Sequence, residues 1–153
     1  MLLRVIHVYL EVYSTTGRDT SPNPNPRYGH ACVLHNLDGI QGVMVTGGTE
    51  GAIDPNDYYP ASVTDFYQIE KDSWISLANT SFPVENHQMV IYDGKPTIIG
   101  GEYELFLRDL EIDGRHMRDH VQIFEGYTND RWYCCIPQLY YKRSKFAAVV
   151  VSM

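Results

Sequence analysis

Asp109-Leu110-Glu111-Ile112-Asp113-Gly114 sets carboxylates at alternate positions ahead of a glycine, which is how a calcium loop opens. Such a loop needs a bidentate carboxylate at its twelfth position, and that position is His120. His116 and His120 stand four apart, a spacing that shares a face only on a helix, and Asp113-Gly114 just before them favours a turn. No carboxylate completes a zinc set with them. Cys134 and Cys135 are adjacent, so on a strand they point to opposite faces and lack the spacing of a zinc site. With Cys32 they make an odd count, which is no disulfide framework, and buried or half-buried thiols are the expectation. His30 and His35 lie close to Cys32, but spacing alone does not pair a thiol with an imidazole. A Gly-x-Ser-x-Gly elbow and a glycine-rich phosphate loop are both missing. The sequence thus names no catalytic residue, no metal ligand set and no cofactor, and the expected protein is not an enzyme.

The chain that would position such residues has 153 of them, the size of one domain. Lys and Arg number 12 against 19 Asp and Glu, a formal net charge of −7. That acidic balance offers no positive field to nucleic acid or to an anionic lipid surface. At 44% hydrophobic and 20% charged residues the chain is globular in composition. No apolar run reaches the roughly 18 residues of a membrane helix. Twelve Tyr against two Trp favour strands and binding surfaces over a helix bundle. Met1 to Tyr13 fits a strand or a short helix equally well, and Arg4, His7 and Glu11 make it a poor signal-peptide core. Asn79-Thr80-Ser81 is a formal glycosylation sequon. The compartment stays open, with the cytoplasm favoured over secretion.

Three segments align without gaps: 27–34, 84–91 and 143–150. His30, His87 and Phe146 take the same place, at a spacing of roughly 58 residues, and each segment leads into an apolar run. Later landmarks recur in the same order. Gly47-Gly48 answers to Gly100-Gly101, Tyr67 to Phe124, and Trp74 to Trp132. Each unit reads as four antiparallel strands. Asp93-Gly94 is a strong hairpin signal, and Asp38-Gly39 stands in a longer connection, His35 to Gln41.

This order of strand, strand-Gly-Gly, aromatic strand and Trp-strand resembles the kelch repeat, one blade of a β-propeller. The residues carrying the resemblance are Arg27, His30, Gly47, Gly48, Tyr67 and Trp74, then His87, Gly100, Gly101, Phe124 and Trp132. Val84 stands where the first unit has Arg27. The resemblance implies an all-β, partial kelch-type propeller of four-stranded antiparallel blades that does not close a ring. Its parts are an N-terminal strand and Pro/Asn linker over 1–26, one repeat over 27–83, a second over 84–142, and the first strand of an incomplete third over 143–153. The two Trp are expected to cover blade-to-blade surface. Incomplete closure leaves three expectations: a fragment of a longer protein, self-association through open blade faces, or an open, marginal array.

The resemblance also implies a non-catalytic protein-interaction module, such as a substrate-recruiting or cytoskeletal binder. Topology places the long connections on the side where the first strands begin, the upper side, and the tight turns opposite. Candidate partner-binding residues there are Glu50, Asp57, Tyr58, Tyr59, Glu102, Tyr103, Arg108 and Arg115. Tyr offers a rigid contact area with a polar tip, and the acidic excess suits a protein partner with a basic segment. The alternatives are a propeller enzyme, a carbohydrate-binding domain, or an incomplete product without independent activity. The radical chemistry of copper-oxidase propellers needs converging Tyr, Cys and His, a set this sequence does not display.

Overall fold

The computed structural model describes residues 2–6, 9–13, 20–50, 61–107, 112–117, 119–126, 130–134 and 139–150. In chain order the strands are β1 (Leu2–Ile6), β2 (Tyr9–Tyr13), β3 (Arg27–Tyr28), β4 (Ala31–Leu37), β5 (Ile40–Thr46), β6 (Thr49–Glu50), β7 (Thr64–Gln68), β8 (Ser73–Leu77), β9 (Gln88–Tyr92), β10 (Lys95–Ile99), β11 (Glu102–Leu107), β12 (Ile112–Met117), β13 (Val121–Phe124) and β14 (Trp132–Cys134). No helix occurs among the described residues. Two four-stranded antiparallel meanders, β4-β5-β7-β8 and β9-β10-β13-β14, form the body. Each is one blade, and together they make a partial, unclosed propeller.

Local chemistry explains the meanders. β4 and β5 pair from Ala31↔Thr46 down to Leu37↔Ile40, leaving only Asp38-Gly39 to turn. The longer connection expected at His35 to Gln41 is therefore a two-residue turn. Asp38 (φ 50°) and Gly39 (φ 88°) match Asp93 (φ 48°) and Gly94 (φ 72°) in β9–β10. Positive φ at both central positions matches the right-handed strand twist, and Asp and Gly tolerate it best.

Side-chain alternation gives each blade two apolar faces. Across the first blade, Val33, Met44, Phe66 and Ile75 fall opposite one another and face the second blade. The second blade answers with Met89, Ile98, Phe124 and Trp132. Phe66, Met44, Ile98 and Phe124 are fully buried there. Burying a side chain of that size contributes about 1.5–3 kcal/mol. On the reverse face of the first blade, Val43, Val45 and Tyr67 form a smaller core with Cys32 and Trp74.

The two Trp occupy equivalent places. Trp74 lies opposite Tyr67, with ring centroids 5.1 Å apart, and Trp132 lies opposite Phe124 at 5.3 Å. Trp132 spans the blade junction, its indole N–H donating to Thr64 Oγ1 (3.2 Å) and to the Ala78 carbonyl (3.1 Å). Trp74 instead donates to the Ser21 carbonyl at 2.9 Å. Ser21 is tied in turn to Asp72, and Asn25 donates to both oxygens of Asp65. The Pro/Asn-rich segment expected as a linker is thus a strap across the first blade.

Other expectations change. The N-terminal stretch is a hairpin, β1–β2, and the long connection 102–119 contains a second hairpin, β11–β12. Both hairpins stand outside the two blade sheets. Residues 143–150 carry no strand, although they were read as one. Cys134 is disulfide-bonded rather than a free thiol, whereas Cys32 is free, and burial raises its thiol pKa.

Truncating Trp132 to Ala is expected to cost about 3–5 kcal/mol, measured by urea unfolding. Gly47→Ala should unfold the chain or cost well over 1 kcal/mol, because its Cβ would sit 2.2 Å from the Val84 carbonyl oxygen. Gly39→Ala, whose Cβ meets nothing within 4 Å, should lose only the roughly 1 kcal/mol of an unfavourable φ.

Candidate functional site: the axial end of the blades

The inner strands of the two blades begin side by side, and polar residues gather at those beginnings. Three chain segments arrive there: 27–30, 84–87 and 143–146. Their third residues, Gly29 (φ 66°), Asn86 (φ 53°) and Lys145 (φ 52°), are all left-handed. Asn86 N–H donates to the Gly29 carbonyl (2.7 Å) and Lys145 N–H to the Asn86 carbonyl (2.9 Å). The double glycines complete the pattern. Gly48 N–H donates to the Val84 carbonyl (2.8 Å) and Gly101 N–H to the Arg143 carbonyl (2.6 Å). Residues 143–146 thus dock on the second blade as 84–87 dock on the first.

Behind each glycine pair one residue turns toward the axis. Thr49 pairs with Tyr28 in β3–β6, and Glu102 bridges to Glu85. Glu85 accepts from Thr49 Oγ1 at 2.6 Å. Glu102 accepts from Asn86 Nδ2 at 2.7 Å and lies 3.7 Å from Lys145 Nζ. Both carboxylates are buried, so these partners offset the loss of water. One layer below, the fully buried pair Arg27–Asp65 is completed by Asn25 and Ser76. In the second unit Val84 replaces the Arg, and register places Gln122 where Asp65 stands. Both halves of the ion pair are exchanged together, so neither charge is left buried alone.

His30 and His87 share this layer. His30 Nδ1 lies 2.9 Å from the Arg27 carbonyl, which accepts, so that nitrogen carries the proton. Thr46 Oγ1 donates to Met89 Sδ, so His87 Nε2–H donates to Thr46 Oγ1 at 2.9 Å. Among the described residues, His30 Nε2 and His87 Nδ1 are buried with no hydrogen-bond partner. Burial, aided by the charges of His30 and Arg27, pushes the His87 pKa down to about 3. Burial also lowers His30. Neutral, wedged imidazoles of this kind hold blades together; they do not shuttle protons near neutrality.

The expected partner-binding residues separate in space. Glu102 is 4% exposed and held by Asn86 and Lys145, so its carboxylate is spent inside. Tyr103 is half-buried beside it on β11, opposite His116. Glu50 stands opposite Arg27 on β6, and Arg115 opposite Glu104 on β12. Asp57, Tyr58, Tyr59 and Arg108 lie outside the described residues, as do Asp109 and Glu111 of the calcium-like run. Asp113 and Gly114 of that run lie on strand β12. His116 shares that strand, and His120 follows it with its Nδ1 2.7 Å from Asp119.

Arg27, His30 and His87, with the two glycine pairs, meet at the axis, while Tyr67, Trp74, Phe124 and Trp132 lie across the outer strands. Sequence reasoning missed Asp65, Thr49, Glu85 and Asn86. Asn86 had a usable signal: it shares the repeat position of Gly29, and Asn is a residue that tolerates a left-handed backbone.

The histidine layer predicts acid sensitivity. Native His87 stays neutral down to about 3, whereas the unfolded chain takes up the proton near 6.5. Stability should therefore be full above that upper value and fall as pH drops below it, by at most about 1.4 kcal/mol per unit from this group. His87→Phe copies Phe146 of the third segment and should flatten the slope between pH 6.5 and 4 in urea titrations. An unchanged slope would place the acid sensitivity elsewhere.

No family model matches the chain, and no curated protein matches it. Solved structures do share its fold. One is the structure of YjhT, with a TM-score of 0.61 at 13% identity, covering 83% of this chain and 42% of that one. The chain thus spans about two-fifths of the length of that structure, and at this identity the likeness is one of fold.

Proposed function

We propose that the chain is a kelch-type propeller segment acting as a non-catalytic protein-interaction module, and that it holds its partner through the long connections on the upper side. The observation carrying this reading is the unequal use of the two sides. Below, β4–β5 and β9–β10 close in two residues each. Above, the link from β5 to β7 runs through 47–63, and the link from β10 to β13 carries the β11–β12 hairpin, which joins neither blade. Extra chain that adds no strand to a blade is where a rigid scaffold displays binding residues. The kelch assignment is supported by the landmarks themselves. The glycine pairs, the aromatic third strands and the Trp fourth strands recur in matching register.

Asp57, Tyr58, Tyr59, Tyr103, Arg108 and Arg115 are the contacts this reading assigns, with Glu50 at their base. Glu102 is assigned to holding the insert in place. The net charge of −7 favours a partner presenting Lys or Arg, and such binding weakens with salt.

The test is quantitative capture with wild-type, Tyr58→Ala/Tyr59→Ala, Tyr103→Ala and Arg108→Ala baits, read by mass spectrometry alongside urea midpoints. At least one protein should fall roughly tenfold or more with every insert variant while the midpoints hold. Capture that ignores all three variants, or variants that no longer fold, would overturn the reading.

A further inference from the structure

Charge is unevenly placed along this chain. Beyond Asp130 it carries Arg131, Lys142, Arg143 and Lys145 and no Asp or Glu, although the whole chain stands at −7. Arg131 is engaged at the lower end of β14, where it lies over the Tyr133 ring and reaches Glu125. Lys145 faces Glu102 at the axis. The other two cations follow a pair of tyrosines, Tyr140-Tyr141-Lys142-Arg143, in the connection from β14 to the third segment. β14 runs upward, so this connection lies on the upper side.

All four side chains are exposed. Tyr140 is 90% exposed and Tyr141 64%, with their rings edge to face and the centroids 4.6 Å apart. Lys142 and Arg143 stand in solvent beside them. Yet the backbone that carries them is pinned. Leu139 N–H donates to the Asp119 carbonyl (2.8 Å), and the Arg143 carbonyl accepts from Gly101 N–H (2.6 Å). The Asp119 carboxylate is already shared: the hydrogen bond with His120 chiefly, and the Lys142 charge in addition, hold its pKa low. Arg143 makes no side-chain hydrogen bond or ion pair among the described residues. Tyr and Arg are the residue types that dominate binding energy at interfaces, and a pinned backbone keeps the ordering cost of binding small.

We propose that Tyr140, Tyr141, Lys142 and Arg143 dock an acidic, extended segment of a protein partner. The tyrosine rings supply apolar contact with hydroxyl tips, and Arg143 offers its planar fork to a carboxylate. Lys142 adds charge without a fixed geometry. Charge complementarity decides the sign of the partner. All 19 Asp and Glu lie in residues 1–130, so an acidic segment is repelled by the rest of the surface and drawn to this stretch. The proposal rests on the upper side being a partner surface, but it uses none of the insert residues assigned above. The insert suits Lys or Arg and this stretch suits Asp or Glu, so together they fix one orientation for a partner that presents both.

Fluorescence anisotropy of a labelled deca-glutamate peptide against the full chain, at about 50 and about 300 mM salt, tests this. The peptide should bind at the lower salt and weaken several-fold at the higher. Lys142→Glu/Arg143→Glu should abolish binding. Tyr140→Ala/Tyr141→Ala should weaken it about tenfold with the salt dependence unchanged, and Arg143→Lys, which keeps the charge and loses the fork, should fall between. Urea midpoints should hold in all three. Tyr58→Ala/Tyr59→Ala should bind the peptide as wild type does, so a failure of the insert reading leaves this result standing. Vesicles with about one-third phosphatidylserine should leave the protein in the supernatant. No peptide binding at the lower salt, binding that survives Lys142→Glu/Arg143→Glu, or sedimentation with the vesicles would each overturn the proposal.

Discussion

Everything in this fold depends on one close approach. At Gly47 and Gly100 the backbone comes so near the first segment of the next unit, and at Gly48 and Gly101 so near the first segment of its own, that no side chain fits. A Cβ at Gly101 would sit 2.4 Å from Val84 Cγ2, and one at Gly100 would sit 2.6 Å from the Arg143 carbonyl oxygen. The left-handed turn at each pair aims an N–H at the next segment's carbonyl, so the hydrogen bond and the steric fit are set by the same two residues. Because the contact is made through backbone, it repeats while the side chains around it change. Blade spacing follows from it, and the apolar rows on facing sheets meet only because the inner ends are fixed first.

Side-chain chemistry then varies around that constant frame. The first unit anchors its inner strand with Arg27 and Asp65, while the second uses Val84 with Gln122 in register. The imidazole at 87 becomes a phenyl ring at 146, in the same place against a glycine. The two Trp keep one geometry toward their own aromatic partners but reach different neighbours, the strap at Ser21 for Trp74 and the first blade for Trp132. The repeat preserves volume and direction, and each unit solves its own polar bookkeeping.

What the sequence disclosed divides along the same line. The strands, the glycine pairs and the aromatic pairs were legible because backbone needs leave marks on residue type. Gly is selected by a left-handed turn, and alternating apolar residues by a two-faced sheet. The β11–β12 hairpin was not, because residues 102–119 mix charge and apolar side chains and their one Asp-Gly turn signal, Asp113-Gly114, lies within strand β12. The strap over 20–26 was hidden for another reason: Asn25 and Ser21 act through single hydrogen bonds to Asp65 and Asp72, which have no periodicity. The axial polar cluster combined both difficulties. Thr49, Glu85 and Asn86 find one another only after the glycine pairs bring two segments together, so no spacing along the chain announces them.

That cluster is committed to the fold. A polar residue can serve a partner only if its hydrogen-bonding capacity is not already used within the fold. At the axis Arg27, Asp65, Glu85, Glu102 and Asn86 are all committed to one another or to neighbouring backbone, and releasing any of them would leave a buried charge or amide unpaired. The two buried imidazoles are neutral, and opening their layer would part the blades. The interior is thus specialised for holding units at a fixed angle. The β11–β12 hairpin, by contrast, adds no strand to either blade sheet. The backbone contact at the glycine pairs fixes the inner ends, and the sheets beyond them are held by their own ladders and apolar faces.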